Sequence, residues 1–278
     1  MLPLRRNFRF RPPPDRIKAW HPMGPQVSHL LNALSIFFPV GERFFIHSVR
    51  HYRDRIGDAE LQQAVTAFIG QEALHGREHE RYNRALLEAG LPVERLEAQV
   101  AGLLETFKRR LPPAAQLSVT IALEHVTAIF ADLLLKEPSI VGGGEPHLAT
   151  LWRWHALEET EHKSVAFDVY ERAVGRDTKA YALRCLGLCG ASLIFFTLIA
   201  RYQRQLVKAD PQARGWSGWA GLSSYLFGSP GALRRLAAPW LGYFRRDFHP
   251  WDYDNRAFLA ELDKFNRKLE ALPLPIAA

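Results

Sequence analysis

The stretch that decides the fold runs from Trp154 to Tyr170, "WHALEETEHKSVAFDVY". Its first nine residues hold two histidines and three glutamates, and the spacing then continues as that of an amphipathic helix. On a helix, His155, Glu159 and His162 fall at i, i+4 and i+7 and share one face. Such groups are costly to bury, so a helix that turns them inward needs something to offset their charge.

The Glu159–His162 spacing of i, i+3 recurs as Glu72–His75 in "GQEALHGREH", Gly70 to His79. One Glu-x-x-His arises readily on any solvated helix rich in these residues; two on separate helices carry more weight. Two further segments set a glutamate inside an apolar run. These are Glu42 in "FFPVGERFFI" and Glu124 in "VTIALEHVTAIF". Taken singly, either glutamate reads as a surface group or the partner of an arginine such as Arg43 or Arg77. Taken together, the order across four helices is Glu, Glu-x-x-His, Glu, Glu-x-x-His. That is the donor pattern of a dinuclear carboxylate bundle. Four carboxylates offset two divalent ions, whereas burying them without cations is severely unfavourable.

The rest of the chain suits such a bundle. Strand signals are scarce, and helical periodicity predicts long helices at about 26–54, 58–89, 113–136 and 146–174, with a shorter one at 92–109. Pro39 is expected to kink the first of these just before Glu42. An apolar helix follows at 178–208, then a looser region, "GWSGWAGLSSYLFGSPG". Two more helices are expected near 230–245 and 254–270, the last capped by Asp252 or Asp254. The fold class is therefore all-α, a four-helix bundle with additional C-terminal helices. Residues 1–25 form an extended basic arm, 26–175 the di-metal bundle, and 176–278 a helical extension packed on it.

The motifs "FIGQEALHGREH", "ALEH", "WHALEETEHKSVAFDVY" and "FHPWDYDN" resemble those of a bacterial family labelled predicted metal-dependent hydrolase, over residues 20 to 265. More widely the chain resembles ferritin-like di-iron carboxylate proteins. The pattern His-x-x-x-Glu-x-x-His from His155 to His162 is similar to the arylamine N-oxygenase type of di-iron enzyme. That likeness implies His155 as an extra ligand, against the alternative of a packing histidine. His79 and His125 are weaker candidates, and Glu158 and Glu161 either face away or orient imidazoles.

The expected donors are thus Glu42, Glu72 and His75 for one ion and Glu124, Glu159 and His162 for the other, with His155 added. Glu72 and Glu159, or Glu124 in place of one, would bridge and act in catalysis. Glutamate and histidine suit iron, with manganese or a mixed pair as alternatives. The expected activity is that of an oxygen-activating oxidoreductase acting on an apolar organic substrate and fed by an electron donor. Phe44, Phe45, Phe68, Phe130 and Trp152 are expected to wall its pocket. The rival is a metal-dependent hydrolase whose ions lower the pKa of a bound water; a third reading is a non-catalytic metal- or membrane-binding protein.

Of the 278 residues 47% are hydrophobic, ample for a core. The two cysteines, Cys185 and Cys189, lie four apart in an apolar run, are read as core residues, and fit a reducing cytoplasm. The run from Cys185 to Ala200 is short for a membrane span and reads first as a buried helix, then as an interfacial one, and last as a true span. Between Arg201 and Arg246 eight basic residues face one acid, Asp210, among many aromatics. That mixture suits an anionic membrane surface or, alternatively, packing on the bundle or a homodimer face. No nucleic-acid-binding motif is present.

Overall fold

The computed structural model describes residues 3–261 and residue 265. Among them the chain forms α-helices and short 3-10 turns, with no strand. The helices are α1 (Pro25–Arg53), α2 (Ala59–Glu88), α3 (Val93–Arg110), α4 (Pro113–Lys136), α5 (Pro146–His162), α6 (Val165–Ala173), α7 (Thr178–Ala209), α8 (Trp216–Phe227) and α9 (Ala232–Gly242). The protein is all-α, as its periodicity predicts.

The helix ends follow local chemistry. Asp58 opens α2 by accepting the backbone N–H groups of Glu60 and Leu61 at 2.9 and 3.1 Å. Gly90, at φ 81°, closes it: the N–H groups of Gly90 and Leu91 return to the carbonyls of Leu87 and Leu86, a Schellman closure that needs a left-handed residue. Prolines stand in the first turns of α1, α4 and α5, where a missing N–H costs nothing.

Helix α1 passes through Pro39 unbroken. Proline removes the bond to the carbonyl four residues earlier, that of Ser35. Asn83 of α2 fills the gap, donating its amide to the Ser35 carbonyl at 3.2 Å. The same level holds Gly76 of α2, where a Cβ would lie 3.8 Å from Pro39 Cα and 2.9 Å from Glu42 Oε2. The backbone irregularity and the small residue thus bring α1 and α2 together beside Glu42.

One apolar core runs from Phe10 to Leu259 and unites the bundle with the later helices. Residues 3–24 carry no helix but are not a free arm: Phe10, Ile17, Trp20 and His21 are buried. Several predicted boundaries change. The helix expected at 146–174 is interrupted at Lys163 and Ser164, giving α5 and α6. Both residues keep right-handed helical dihedrals, so the interruption is one turn and not a loop. The Lys163 ammonium donates to the Tyr253 carbonyl and Asn255 Oδ1, both at 2.7 Å, tying the interruption to the C-terminal segment.

The region expected to be loose contains α8, hidden in the sequence by its glycines and serines. The helix placed at 230–245 is the shorter α9. The one placed at 254–270 is a 3-10 turn over Arg256–Glu261; beyond that only residue 265 belongs to the described residues. Asp254 does not occupy the cap position but accepts from the Arg256 N–H at 3.1 Å, a local turn contact just before the 3-10 turn.

The largest correction concerns α7, which is not a buried helix. It is long and apolar enough to cross a membrane by length and composition, yet only 28% of its most apolar window is buried. It packs one face on α4 and α1, and leaves Leu186 and Leu193 about 70% exposed beside Ile194 and Phe196. Cys189 is likewise exposed and Cys185 half-buried, so the core reading of the cysteines does not hold. Helix α4 passes the same length-and-composition test but is mostly buried, as befits a central helix.

Candidate metal centre

Helices α1, α2, α4 and α5 bring their inward polar groups to one place. Glu42, Glu72, His75, Glu124, His155, Glu159 and His162 are all buried. Glu72, His75, Glu159 and His162 each offer one atom to a group lying within 4.8 Å of one another; Glu42, His75 and His155 form a second such group. His75 is common to both. This differs from the expected partition, in which His75 served one ion and His155 joined Glu124, Glu159 and His162.

The separations are those of atoms aimed at a shared point. His162 Nε2 lies 3.0 Å from Glu72 Oε1, 3.6 Å from Glu159 Oε1 and 3.9 Å from Glu124 Oε2. His75 Nδ1 lies 3.8 Å from Glu72 Oε1 and 3.7 Å from Glu159 Oε1. Ligand bonds of about 2 Å place neighbouring donors on one ion roughly 3–4 Å apart.

The hydrogen-bond inventory tests the fit. Both carboxylate oxygens of Glu42, Glu72 and Glu124, together with His75 Nδ1 and His162 Nε2, are buried and make no hydrogen bond, the closest approach among them being the ion pair of His162 Nε2 with Glu72 Oε1. Buried polar atoms are nearly always paired, and an unpaired carboxylate is among the most expensive to leave so. Eight such atoms in one cluster are explained by cations, and the carboxylate and imidazole donors fit metal ions.

Each imidazole is turned by a partner on its far side. His75 Nε2 donates to Glu158 Oε2 at 3.1 Å, leaving Nδ1 to face the cluster. His162 Nδ1 donates to Gln71 Oε1 at 2.8 Å, leaving Nε2 to face it. Glu158 and Glu161 therefore lie behind the histidines, one of the two placements expected. The N-terminal segment anchors both. Arg6 reaches Glu161 at 2.8 Å and Glu158 at 3.4 Å, while Gln71 donates to Glu161 at 2.6 Å and to the Leu4 carbonyl at 2.9 Å. Phe8 and Phe10 pack on Trp154, which meets the His75 ring edge-on at 4.9 Å.

His155 has a third kind of environment. Its Nε2 lies 2.9 Å from Glu159 Oε1 and its Nδ1 2.8 Å from His79 Nε2. His79 Nδ1 in turn meets Ser35 Oγ at 2.9 Å, and that hydroxyl donates to Asn83 Oδ1 at 2.8 Å. The donor direction sets the tautomers: Ser35 accepts from His79 Nδ1–H, so His79 Nε2 accepts from His155 Nδ1–H. In neutral His155 the Nε2 lone pair then faces Glu159 and the cluster. His79 stands one step behind, and His125 is turned away to the Pro239 carbonyl at 3.2 Å.

Without cations the electrostatics are polarised. Burial, then repulsion from Glu72 and Glu159, pushes Glu42 and Glu124 well above the carboxylate range. Burial also raises Glu72, against the pull of His162. Burial opposes the charge on Glu159 too, but His162 and His155 outweigh it and hold Glu159 well below that range. His162 is raised to match, again against burial.

A cavity of about 560 Å³ opens beside the cluster. Glu159, His155 and Thr127 line it on the cluster's side with Phe38, Phe130 and Trp152, and further apolar residues of α1, α4 and α5 join α7, α8 and α9 to complete the wall. Thr127 donates to Glu159 Oε2 at 2.8 Å. Of the aromatics expected to wall a pocket, Phe130 and Trp152 do so, and Phe45 lines a smaller neighbouring hollow. Phe44 lies wholly in the core, and Phe68 supports His162 edge-on at 5.1 Å. Sequence reasoning missed Phe38, whose ring lies 4.4 Å from His79 and 4.5 Å from His155; it sits four residues before Glu42, a spacing that marks a shared face. It missed Gln71 and Arg6 as well. Gln71 adjoins Glu72, but no pattern marks Arg6.

Fold and site together define an all-α protein with a buried carboxylate–histidine cluster suited to metal ions. The chain belongs to the family described as "predicted metal-dependent hydrolase", which it matches over residues 4–254. No curated protein and no solved structure matches it.

Proposed function

We propose that the protein is a dinuclear non-haem iron oxidoreductase of ferritin-like type, which activates dioxygen and oxidises an apolar organic molecule. One observation carries the reading: eight buried donor atoms from four helices make no hydrogen bond, and Glu159 and His155 of the same cluster line an apolar cavity. Glu42, Glu72, His75, Glu124, His155, Glu159 and His162 would hold the ions, with manganese as the alternative metal. Held there in reduced form, such ions would supply one-electron chemistry toward dioxygen, with an external donor as the source of electrons.

The chain's own residues do the rest. Glu158 and Gln71 orient His75 and His162, and Arg6 holds Glu158 directly and Gln71 through Glu161. Thr127 fixes the orientation of Glu159. Phe38, Phe130 and Trp152 keep bulk water from the inner end of the cavity. A dry, apolar wall favours a hydrocarbon over a polar ester or amide, and it protects reactive oxygen species from side reactions.

The family's description favours a second reading, hydrolysis with water as nucleophile. One experiment separates the two. Protein loaded anaerobically with two equivalents of Fe(II) is exposed to oxygen, and oxygen uptake and iron oxidation are followed. Stoichiometric uptake supports the oxidoreductase. Full iron occupancy without uptake, together with zinc- or manganese-dependent ester cleavage in the absence of oxygen, supports the hydrolase.

A further inference from the structure

The apolar cavity has two unlike ends. At the inner end Glu159 and His155 face it; at the outer end α7 supplies Gln203 and Arg204. Between them the α7 wall is Phe195, Phe196, Ile199 and Ala200. Phe195 also lines the hollow that contains Glu42 and Thr127, which puts that end of α7 beside the cluster. From Phe195 to Arg204 is nine residue steps, roughly 14 Å at 1.5 Å per residue. Arg204 is exposed and also borders an open surface groove with Arg201 and Lys208, so it stands where the cavity meets solvent. Among the described residues the cavity lining holds one acid, Glu159, at the opposite end.

We propose that this cavity binds a long-chain carboxylic acid, its head group at Arg204 and its hydrocarbon chain running inward to Glu159 and His155. Charge and polarity along the cavity argue for that occupant. The wall offers nothing to a ligand polar throughout, and a wholly apolar ligand would leave the guanidinium unused. A fatty acid is ionised at neutral pH and matches both parts: the guanidinium forks onto a carboxylate, and the aliphatic and aromatic walls take the chain. The volume is within the range of small-molecule sites. As a substrate assignment this rests on the oxidoreductase reading, and it places the methyl end of the chain, not the head group, nearest the cluster.

Binding is measured by calorimetry on the full-length protein as purified, without oxygen so that no turnover intervenes. The probes are dodecanoic acid, dodecan-1-ol and vesicles of anionic phospholipid. The acid binds tightest. Arg204→Gln weakens the acid about five-fold, the scale of an exposed ion pair, and leaves the alcohol within about two-fold. Ala200→Trp, at an exposed position on the cavity rim, weakens both, with unchanged far-UV circular dichroism. Failure of the acid to bind, equal loss of acid and alcohol in Arg204→Gln, or binding of vesicles in preference to free acid overturns the proposal. The oxidoreductase reading fails separately: acid that binds with these dependences to a protein taking up no oxygen leaves this site standing and removes that reaction.

Discussion

Arg6 and Glu161 meet at 2.8 Å, across 155 residues of chain, and the pair forms the outer support of the cluster's histidines. Glu161 also receives Gln71, which turns His162, and Arg6 also approaches Glu158, which turns His75. Removing the arginine loosens both imidazoles at once. Arg6→Ala is expected to lower metal affinity by about 10- to 100-fold, the usual cost of losing such a support, with helicity intact. Competition with a calibrated chelator measures it; unchanged affinity would show that the N-terminal segment is only a cover.

The partnerless carboxylates predict an inverted stability effect. Glu42 and Glu124 are buried with no hydrogen-bond partner. Stripping the metal should therefore lower Tm sharply. In the stripped protein, Glu124→Leu should raise stability by about 1–4 kcal/mol, because an apolar side chain replaces a buried group without partners. The same change should reduce metal content. Denaturant melts of both proteins, stripped and loaded, decide the matter: a variant less stable than wild type in the stripped state argues that the cluster is self-sufficient.

Gly76 predicts a selective loss. A Cβ there would stand 2.9 Å from Glu42 Oε2, which is too close to keep. Gly76→Ala should displace the Glu42 carboxylate, the tip of a long side chain, at little cost to the stability of the fold. The group made by Glu42, His75 and His155 should lose its ion first. Metal analysis should give roughly one ion per chain on the bundle template, while two tightly held ions would show that Glu42 is not needed.

Acid should destabilise the fold through histidines outside the cluster. Burial lowers the pKa of His21 and His29, in the latter despite Asp210, and pushes His125 down to about 4. The unfolded chain binds protons near pH 6.5, where the folded chain does not. Their stabilisation is thus complete above about 6.5 and declines as pH falls toward each folded-state value. For His125 alone the loss approaches about 3 kcal/mol by pH 4. Tm measured between pH 7 and 4 should fall less steeply in His125→Asn; parallel curves would exclude that histidine.

The sequence determined the helices and the four glutamates because both are short-range facts. The i, i+3 pairing of Glu72 with His75 and of Glu159 with His162 follows from 3.6 residues per turn, wherever those helices end up. An apolar run around Glu42 or Glu124 implies an inward face in the same way. Helix α8 was illegible because its glycines and serines mask a helix that packing supports. The interruption at Lys163 was hidden because its anchors, Tyr253 and Asn255, lie about ninety residues away.

What only the tertiary structure decided is everything that depends on which face meets which. His75 belongs to both donor groups because α1 approaches α2 closely at Gly76 and Pro39 while α5 brings His155, Glu159 and His162 to the same place. Arg6 supports two histidines because residues 3–24 fold back over α2 and α5. The exposed side of α7 and the cavity beneath it arise because that helix has one neighbouring face on α1 and α4 and none opposite among the described residues. Periodicity along a chain sets which residues share a side of a helix, but the chemistry of a site depends on distances between helices, which no local pattern encodes.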